Sequence, residues 1–411
     1  MKLKSAVFLS VLLALAASPR ASESYTNAYD AIALFTKVLE EVHRSYVDTN
    51  ESGYDSLIRH ALTGLLQDLD PYSQFMDKDS FEDMKEDTAG KFSGVGLVVS
   101  MKDGLLTVVS PMEDTPAFRA GLLPGDIIAE IDGQETRAMS LSDAVKKMRG
   151  DAGSSVKLKA VRPSTHGVKE YTIVREEIEV ASVKDAKLIE DHIGYIRVTQ
   201  FNEPTAADLK TALEKLTGQQ MKALVLDLRG NPGGLLTAAA GVAELFLPRG
   251  DLIVFTKGRT PEMDQQTFKS SGQTHYTDFP MVILVNGGSA SASEIVSGAL
   301  QDHKRAVLVG EKTFGKGSVQ SVLPLKDGEA IKLTTARYYT PSERIIHEKG
   351  IEPDVKVEMD PEDLFKIRMK QAQQGREEGE VLPDEAGVRD IQLDYAIGTL
   401  KGMMIQQERM K

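Results

Sequence analysis

The sequence predicts a multidomain protein: an α/β core, a β-rich module inserted ahead of it, and helical segments at both ends. Three observations carry that prediction. The chain is 411 residues long, more than a single hydrophobic core usually holds. From about Glu179 onward, short continuous apolar runs alternate with stretches whose apolar residues recur at helical spacing. Between residues 89 and 176 the period shortens to that of strands, broken by turn residues.

Residues 1–21 have a basic start (Lys2, Lys4), an apolar run from Ala6 to Ala17 and small residues suited to signal cleavage, near Ala16 or Ala21. The run is short for a membrane span, so an exported, soluble chain is expected. Residues 22–88 form a helical leader, with Ile32, Phe35, Val38, Leu39 and Val42, then Leu57, Ile58, Leu62 and Leu65, at helical spacing. Asp70-Pro71-Tyr72-Ser73 interrupts it with turn chemistry, and the acidic stretch after Met76 is polar enough for a solvated helix or connection and carries no obvious chemistry.

In the β-rich module, Gly94–Ser100 and Leu105–Val109 read as strands joined by a turn at Lys102-Asp103-Gly104. Gly121-Leu122-x-Pro124-Gly125-Asp126, Ile131-Asp132-Gly133, a helix from Ser142 to Met148 and two further strands follow. That order resembles a PDZ domain over residues 89–176. In that family Gly94, Val95, Gly96 and Leu97 match the loop whose backbone N–H groups bind a terminal carboxylate while the peptide adds a strand to the sheet edge. Read without the resemblance, the glycines form an ordinary tight turn.

The core spans residues 177–358, with strands at Ile193–Phe201, Ala223–Leu228, Met281–Asn286 and Ala306–Gly310 and helices at Ala206–Leu216, Leu235–Leu247 and Ala292–Gln301. Ala223–Leu226 and Val282–Val285 are apolar throughout, as strands covered on both faces are. Residues 359–411 are charged and helix-favouring, with a polar stretch at 371–380.

Composition narrows the chemistry. A net charge of −12 argues against nucleic acid as partner. The absence of cysteine removes thiol nucleophiles, thiolate metal sites and disulfides. With no histidine–carboxylate cluster at metal spacing either, no metal or other cofactor is expected.

Ser291 stands where the strand Met281–Asn286 passes into a helix, a place that presents a side chain at a sheet end and backbone N–H groups beside it. On this segment alone plain capping is the better reading, because Ser291-Ala292-Ser293-Glu294 spells a capping box. A second segment changes the balance. Lys316 lies between Gly315 and Gly317, and alternation after it places Gln320 on the same face. Buried without a carboxylate partner, a lysine loses its proton readily enough to act as a base.

With these segments in place, the stretch from Tyr46 to Val357 resembles the carboxyl-terminal processing peptidases, serine peptidases with a Ser-Lys dyad. The resemblance implies a crotonase/ClpP-like α/β fold. It assigns the nucleophile to Ser291, the middle serine of the Ser-Ala-Ser-Ala-Ser-Glu stretch, and the base to Lys316 rather than Lys312. Gln320 becomes the residue that orients the base. Asp227-Leu228-Arg229-Gly230-Asn231-Pro232-Gly233-Gly234 is implied to supply the oxyanion hole through Gly233 or Gly234, with the N–H of Ala292 as second donor. Arg337-Tyr338-Tyr339-Thr340-Pro341-Ser342 closes the matching core. One departure follows it, since Glu343 stands where relatives usually carry glycine.

Three rivals are weaker. Gly310-x-x-x-x-Gly315-Lys316 is nearly a nucleotide-binding P-loop, but Gly317 replaces the hydroxyl that would hold magnesium and a strand follows instead of a helix. His303 and His347 sit in polar settings that do not suit a triad. A catalytically silent PDZ scaffold is disfavoured by the joint presence of Ser291, Lys316 and Gln320. The resemblance implies substrates with unstructured C-termini, an adaptor protein, and homo-oligomers built through the terminal helices. It places the chain in the bacterial periplasm, soluble or held peripherally at the inner membrane.

Overall fold

The computed structural model describes residues 27–112, 115–123, 125–163, 167–259, 265–272, 276–360, 363–364, 366–367 and 389–410; residues 1–21, where a signal segment is expected, Pro124 and the polar stretch 371–380 lie outside the described residues. The chain divides into two units, 1–71 and 72–411. The first holds the helices Ala28–Ser45 and Tyr54–Gln67. Asn27 caps the former by accepting the Asp30 N–H at 3.0 Å. Ile32, Leu34, Phe35 and Val38 on it are exposed.

In the second unit the leader is not helical throughout. Gln74–Met76 is a strand paired antiparallel with Ala330–Lys332. A three-residue strand has no period to read, and it exists through its partner. The acidic stretch behind it is the helix Lys78–Ala89, capped by Asp77 and ended by Gly90 in the left-handed region (φ 70°).

The chain then enters the β-rich module through Lys91–Gly94 and leaves it through Glu176–Glu179, and these two segments pair antiparallel with each other. Entry and exit lie side by side, as an inserted domain requires. The module is an antiparallel sheet in the order Leu97–Lys102, Leu105–Pro111, Ile127–Ile131, Ser155–Arg162, Gly167–Val174. The helix Leu141–Met148 covers it, with Ala144 and Met148 buried among Val95, Leu106, Ile128, Val156 and Leu158. One strand-like run divides in the structure. Gly94 ends the entry strand, Val95 and Gly96 form a loop with Gly96 at φ 78°, and the next strand begins at Leu97.

The core is a six-stranded sheet in the order Val183–Leu188, Ile193–Val198, Ala223–Asp227, Met281–Val285, Val307–Gly310, Val355–Lys356. The first pair is antiparallel and the rest parallel. Alternation along each strand divides the burial. Leu224, Leu226 and Ile283 face a core closed by the helices Thr205–Gly218, Leu236–Glu244 and Ala292–Asp302. Ala223, Val225, Val282, Leu284 and Val309 face the other way, onto Ala396, Ile397 and Leu400 of the helix Ile391–Met410. The C-terminal helix therefore packs on the chain's own sheet, and each fully buried leucine or isoleucine there contributes roughly 1.5–3 kcal/mol. A second, antiparallel sheet joins Gln74–Met76, Ala330–Tyr339, Leu252–Gly258 and Thr267–Lys269, with Ser318–Pro324 paired on Ala330–Tyr339. The sequence pattern does not announce it, because its long members mix polar and half-buried residues.

Candidate active site

Three neighbouring parallel strands end at one edge of the core sheet: Ala223–Asp227, Met281–Val285 and Val307–Gly310. Beyond their carboxyl ends run the glycine loop 229–234, the turn carrying Ser291 and the segment carrying Lys316. Adjacent parallel strands must deliver their following loops side by side, and open α/β sheets bind ligands in that crevice.

Ser291 precedes the helix Ala292–Asp302, and Glu294 reaches back to it, its Oε2 accepting the Ser291 N–H at 2.8 Å. An ordinary cap is extended; Ser291 instead holds φ 55° and ψ −112°. A non-glycine residue in that region stores strain that surrounding contacts must maintain. The contacts are there. Ser289 Oγ donates to the Leu228 carbonyl (2.8 Å), Ala290 N–H to the Asn231 carbonyl (3.0 Å), and Ser293 Oγ to the same carbonyl (2.9 Å). The Ser291 turn and the glycine loop are stitched together through Asn231.

The glycine loop approaches closely. A Cβ at Gly233 would lie 2.7 Å from the Ser291 Cβ and 3.0 Å from the Ala292 nitrogen, and one at Gly234 would lie 2.0 Å from the Phe201 carbonyl oxygen. The Gly233 N–H donates to Asn231 Oδ1 at 2.9 Å, so that expected oxyanion donor is engaged by a side chain. Among the described residues no protein acceptor takes the N–H of Gly234 or Ala292.

Lys316 is half-buried, and burial lowers its pKa from 10.5; the nearby Lys332 charge adds to the effect and Glu294 opposes it. Among the described residues no carboxylate pairs with Lys316. Its Nζ lies 4.7 Å from the centroid of the Tyr72 ring. Lys312, by contrast, is exposed and pairs with Glu352 at 2.9 Å, which separates the two lysines by environment as well as spacing. The flanking glycines admit a neighbouring loop: a Cβ at Gly317 would come within 2.3 Å of the His347 nitrogen.

Gln320 behaves differently from expectation. Its amide nitrogen donates to Ser318 Oγ (2.9 Å) and Thr334 Oγ1 (3.4 Å), and among the described residues it makes no hydrogen bond to Lys316. The alternation count from 316 to 320 fails because the strand begins at Ser318 and its register shifts between Val319 and Gln320. The rival histidines are placed elsewhere: His303 Nε2 lies 2.7 Å from the Leu252 carbonyl oxygen and His347 Nε2 lies 3.9 Å from Glu348.

The structure adds groups that sequence reasoning passed over. Tyr72 was read as part of a turn, and nothing in the sequence links it to a lysine so distant. Tyr338 lies within the matching core; its hydroxyl is buried beside Ser291 and Glu294, and burial, with the Glu294 charge, raises its pKa well above 10. Asn231 was visible only as one member of a glycine turn.

In the β-rich module, Gly94, Val95, Gly96 and Leu97 lead into the edge strand Leu97–Lys102, beside which the helix Leu141–Met148 packs. Gly96 requires its glycine, since a Cβ would sit 2.3 Å from the Thr115 side chain. An edge strand behind a backbone loop is the arrangement to which an extended peptide adds.

Together, the crevice with its strained serine and half-buried lysine and the β-rich module with its open edge strand point to a peptidase of the serine type. Residues 192–357 match peptidase family S41 and residues 107–162 match the PDZ domain. The chain is 43% identical to a carboxy-terminal-processing protease of Bartonella bacilliformis, over 88% of this chain and 82% of that one. It is 36% identical to the carboxy-terminal processing protease CtpB of Bacillus subtilis, over 83% and 71%. A solved Bacteroides fragilis chain assigned to the S41 proteases shares the fold, with a TM-score of 0.52 and 15% identity over 93% of this chain and all of that one. The chain belongs to the carboxy-terminal-processing protease family of S41 serine-type peptidases.

Proposed function

We propose that this chain is an exported endopeptidase that cuts protein substrates at or near unstructured C-termini, using Ser291 as nucleophile and Lys316 as base on a crotonase/ClpP-like core. The observation that carries the proposal is the pairing of Ser291, strained out of ordinary cap geometry, with a half-buried lysine whose burial disfavours its proton, on loops that leave adjacent strands. Neutral Lys316 removes the Ser291 hydroxyl proton while Oγ bonds to the scissile carbonyl carbon. The tetrahedral oxyanion is received by the N–H groups of Ala292 and Gly234, the Gly233 N–H being held by Asn231. Lys316 then gives the proton to the departing amine, leaving a Ser291 ester. Water, its proton taken by Lys316, attacks that ester, and Lys316 passes the proton to Ser291 Oγ as the acyl–Oγ bond breaks, releasing the peptide carboxylate.

The PDZ domain captures the substrate tail, with the carboxylate at Gly94–Leu97 and the peptide added to the edge strand Leu97–Lys102, and gates delivery to Ser291. Gln320 supports Lys316 through the Ser318 and Thr334 hydroxyls it holds. No helix among the described residues is long and apolar enough to cross a membrane, and a periplasmic protein acting with an adaptor and as a homo-oligomer accords with that. The exposed apolar residues of Ala28–Ser45 favour that helix as the oligomer contact.

Ser291→Ala and Lys316→Ala, assayed on an unstructured peptide, should each lose at least about 10³-fold in kcat. Full activity in either removes the dyad, and an inactive wild type would favour a silent scaffold. Amidating the substrate's C-terminal carboxylate should raise KM; an unchanged KM removes tail capture.

A further inference from the structure

Glu294 is fully buried, and its carboxylate accepts four hydrogen bonds. Oε2 takes the Ser291 N–H (2.8 Å) and the Lys316 N–H (2.8 Å). Oε1 takes the Gly315 N–H (2.7 Å) and the Thr313 hydroxyl (2.6 Å). Thr313 Oγ1 itself accepts the Ile351 N–H at 2.7 Å, which directs its proton to Glu294. Only the Ser291 bond belongs to a capping box. The other three reach a segment about 20 residues further on that follows a different strand. Burying a carboxylate is costly unless its lone pairs are filled, and here four donors fill roughly the four sites it has. One carboxylate oxygen is therefore shared by the backbones of the nucleophile and the base.

We propose that Glu294 is the positioning residue of the catalytic pair, fixing the Lys316 segment against the Ser291 turn so that base and nucleophile stand at a set separation. The inference rests on the Ser291–Lys316 reading. Glu294 touches neither substrate nor the reacting atoms, so it acts through the two residues it holds. Its charge also bears on the base. The groups around it are Lys316, the Tyr338 hydroxyl and Thr313, with Lys332 acting on Lys316 and the Tyr72 ring against its Nζ. Among these Glu294 is the anion that favours protonated Lys316, and removing the charge makes the lysine easier to deprotonate.

The test is Glu294→Gln in the full chain. The shape is kept, but whichever way the amide turns, its NH₂ meets a pair of donors, Thr313 and Gly315 or Ser291 and Lys316. Peptide cleavage is measured as kcat, KM and the pH profile of kcat/KM, with thermal melting, and Ser291→Ala and Lys316→Ala are run beside it. A misplacement of about 1 Å can cost about 10² in rate. A folded variant should lose about that much in kcat with KM within about threefold, and the acid limb of kcat/KM should move to lower pH. Wild-type kcat, or a lowered melting temperature and kcat with the limb unmoved, overturns the proposal. Should Glu294→Gln not fold, Thr313→Val removes one donor and keeps the carboxylate. A drop of about tenfold in kcat at constant KM then supports the proposal, and unchanged kcat overturns it. Activity surviving in Ser291→Ala or Lys316→Ala sinks the dyad reading itself; inactivity in both beside a wild-type Glu294→Gln sinks this inference alone.

Discussion

Ser291 and Glu343 are both non-glycine residues at positive φ, 55° and 63°, yet their strain has different sources. At Ser291 the contacts of the glycine loop hold the turn, and the side chain it presents is the proposed nucleophile. Glu343 takes its positive φ in an exposed turn, where its N–H donates to the Thr340 carbonyl at 2.9 Å. Glu343→Gly should therefore stabilise the fold by about 0.5–1 kcal/mol in urea denaturation with kcat unchanged. Gly233 shows the opposite constraint. At φ 105°, with the Ala290 carbonyl oxygen 2.8 Å from any Cβ, it admits no side chain without moving the Ser291 turn. Gly233→Ala should cost about 10² in kcat, checked by single-turnover cleavage at saturating peptide.

Strands set the electrostatics of Lys316, the proposed base. Lys332 lies on Ala330–Tyr339, paired with Val322 of Ser318–Pro324, and its charge reinforces the effect of burial on Lys316. A general base works when neutral, so kcat/KM should rise through the pKa of Lys316, below 10.5. Lys332→Met removes the like charge and lets that pKa climb back toward 10.5. The acid limb should then move to higher pH, opposite in direction to Glu294→Gln, as a pH–rate profile would show. The register shift at Val319/Gln320 belongs to the same element: it turns Gln320 toward Ser318 and Thr334, where simple alternation would have aimed it at the lysine.

Across the whole molecule, Arg229 joins the C-terminal helix to the catalytic crevice. Buried beside the glycine loop, it donates to Asp227 (2.7 Å), to Asp390 (2.8 Å) and to Gln392 (3.1 Å), and Tyr195 donates to Asp227 as well (2.8 Å). Burial alone would raise the Asp227 carboxyl; the Arg229 charge and its hydrogen bonds outweigh it and hold the carboxyl below 3.8. Stability from that lowering is complete above about pH 3.8 and is lost as pH falls through the lower folded value. Arg229→Met leaves Asp227 and Asp390 without their cation and should destabilise by about 3–5 kcal/mol, measured by urea denaturation at pH 7, with cleavage reduced because the loop beyond Arg229 loses its anchor.

What the sequence by itself determined was the list of parts. Apolar runs such as Val282–Val285 declare buried strands, the strand-to-helix passage places Ser291 on a turn, and the ordered glycine motifs mark the PDZ domain, because each is a local pattern of period or turn chemistry. The tertiary structure alone decided which parts meet. That Tyr72 covers Lys316, that Asp390 reaches Arg229, and that Gln320 bonds Ser318 and Thr334 depend on strand pairing and register between distant segments, which local period does not encode. Glu294 spans both levels. Its capping box is legible in four consecutive residues, while its hold on Lys316 follows from the parallel pairing of Met281–Val285 with Val307–Gly310, which brings the two loops side by side.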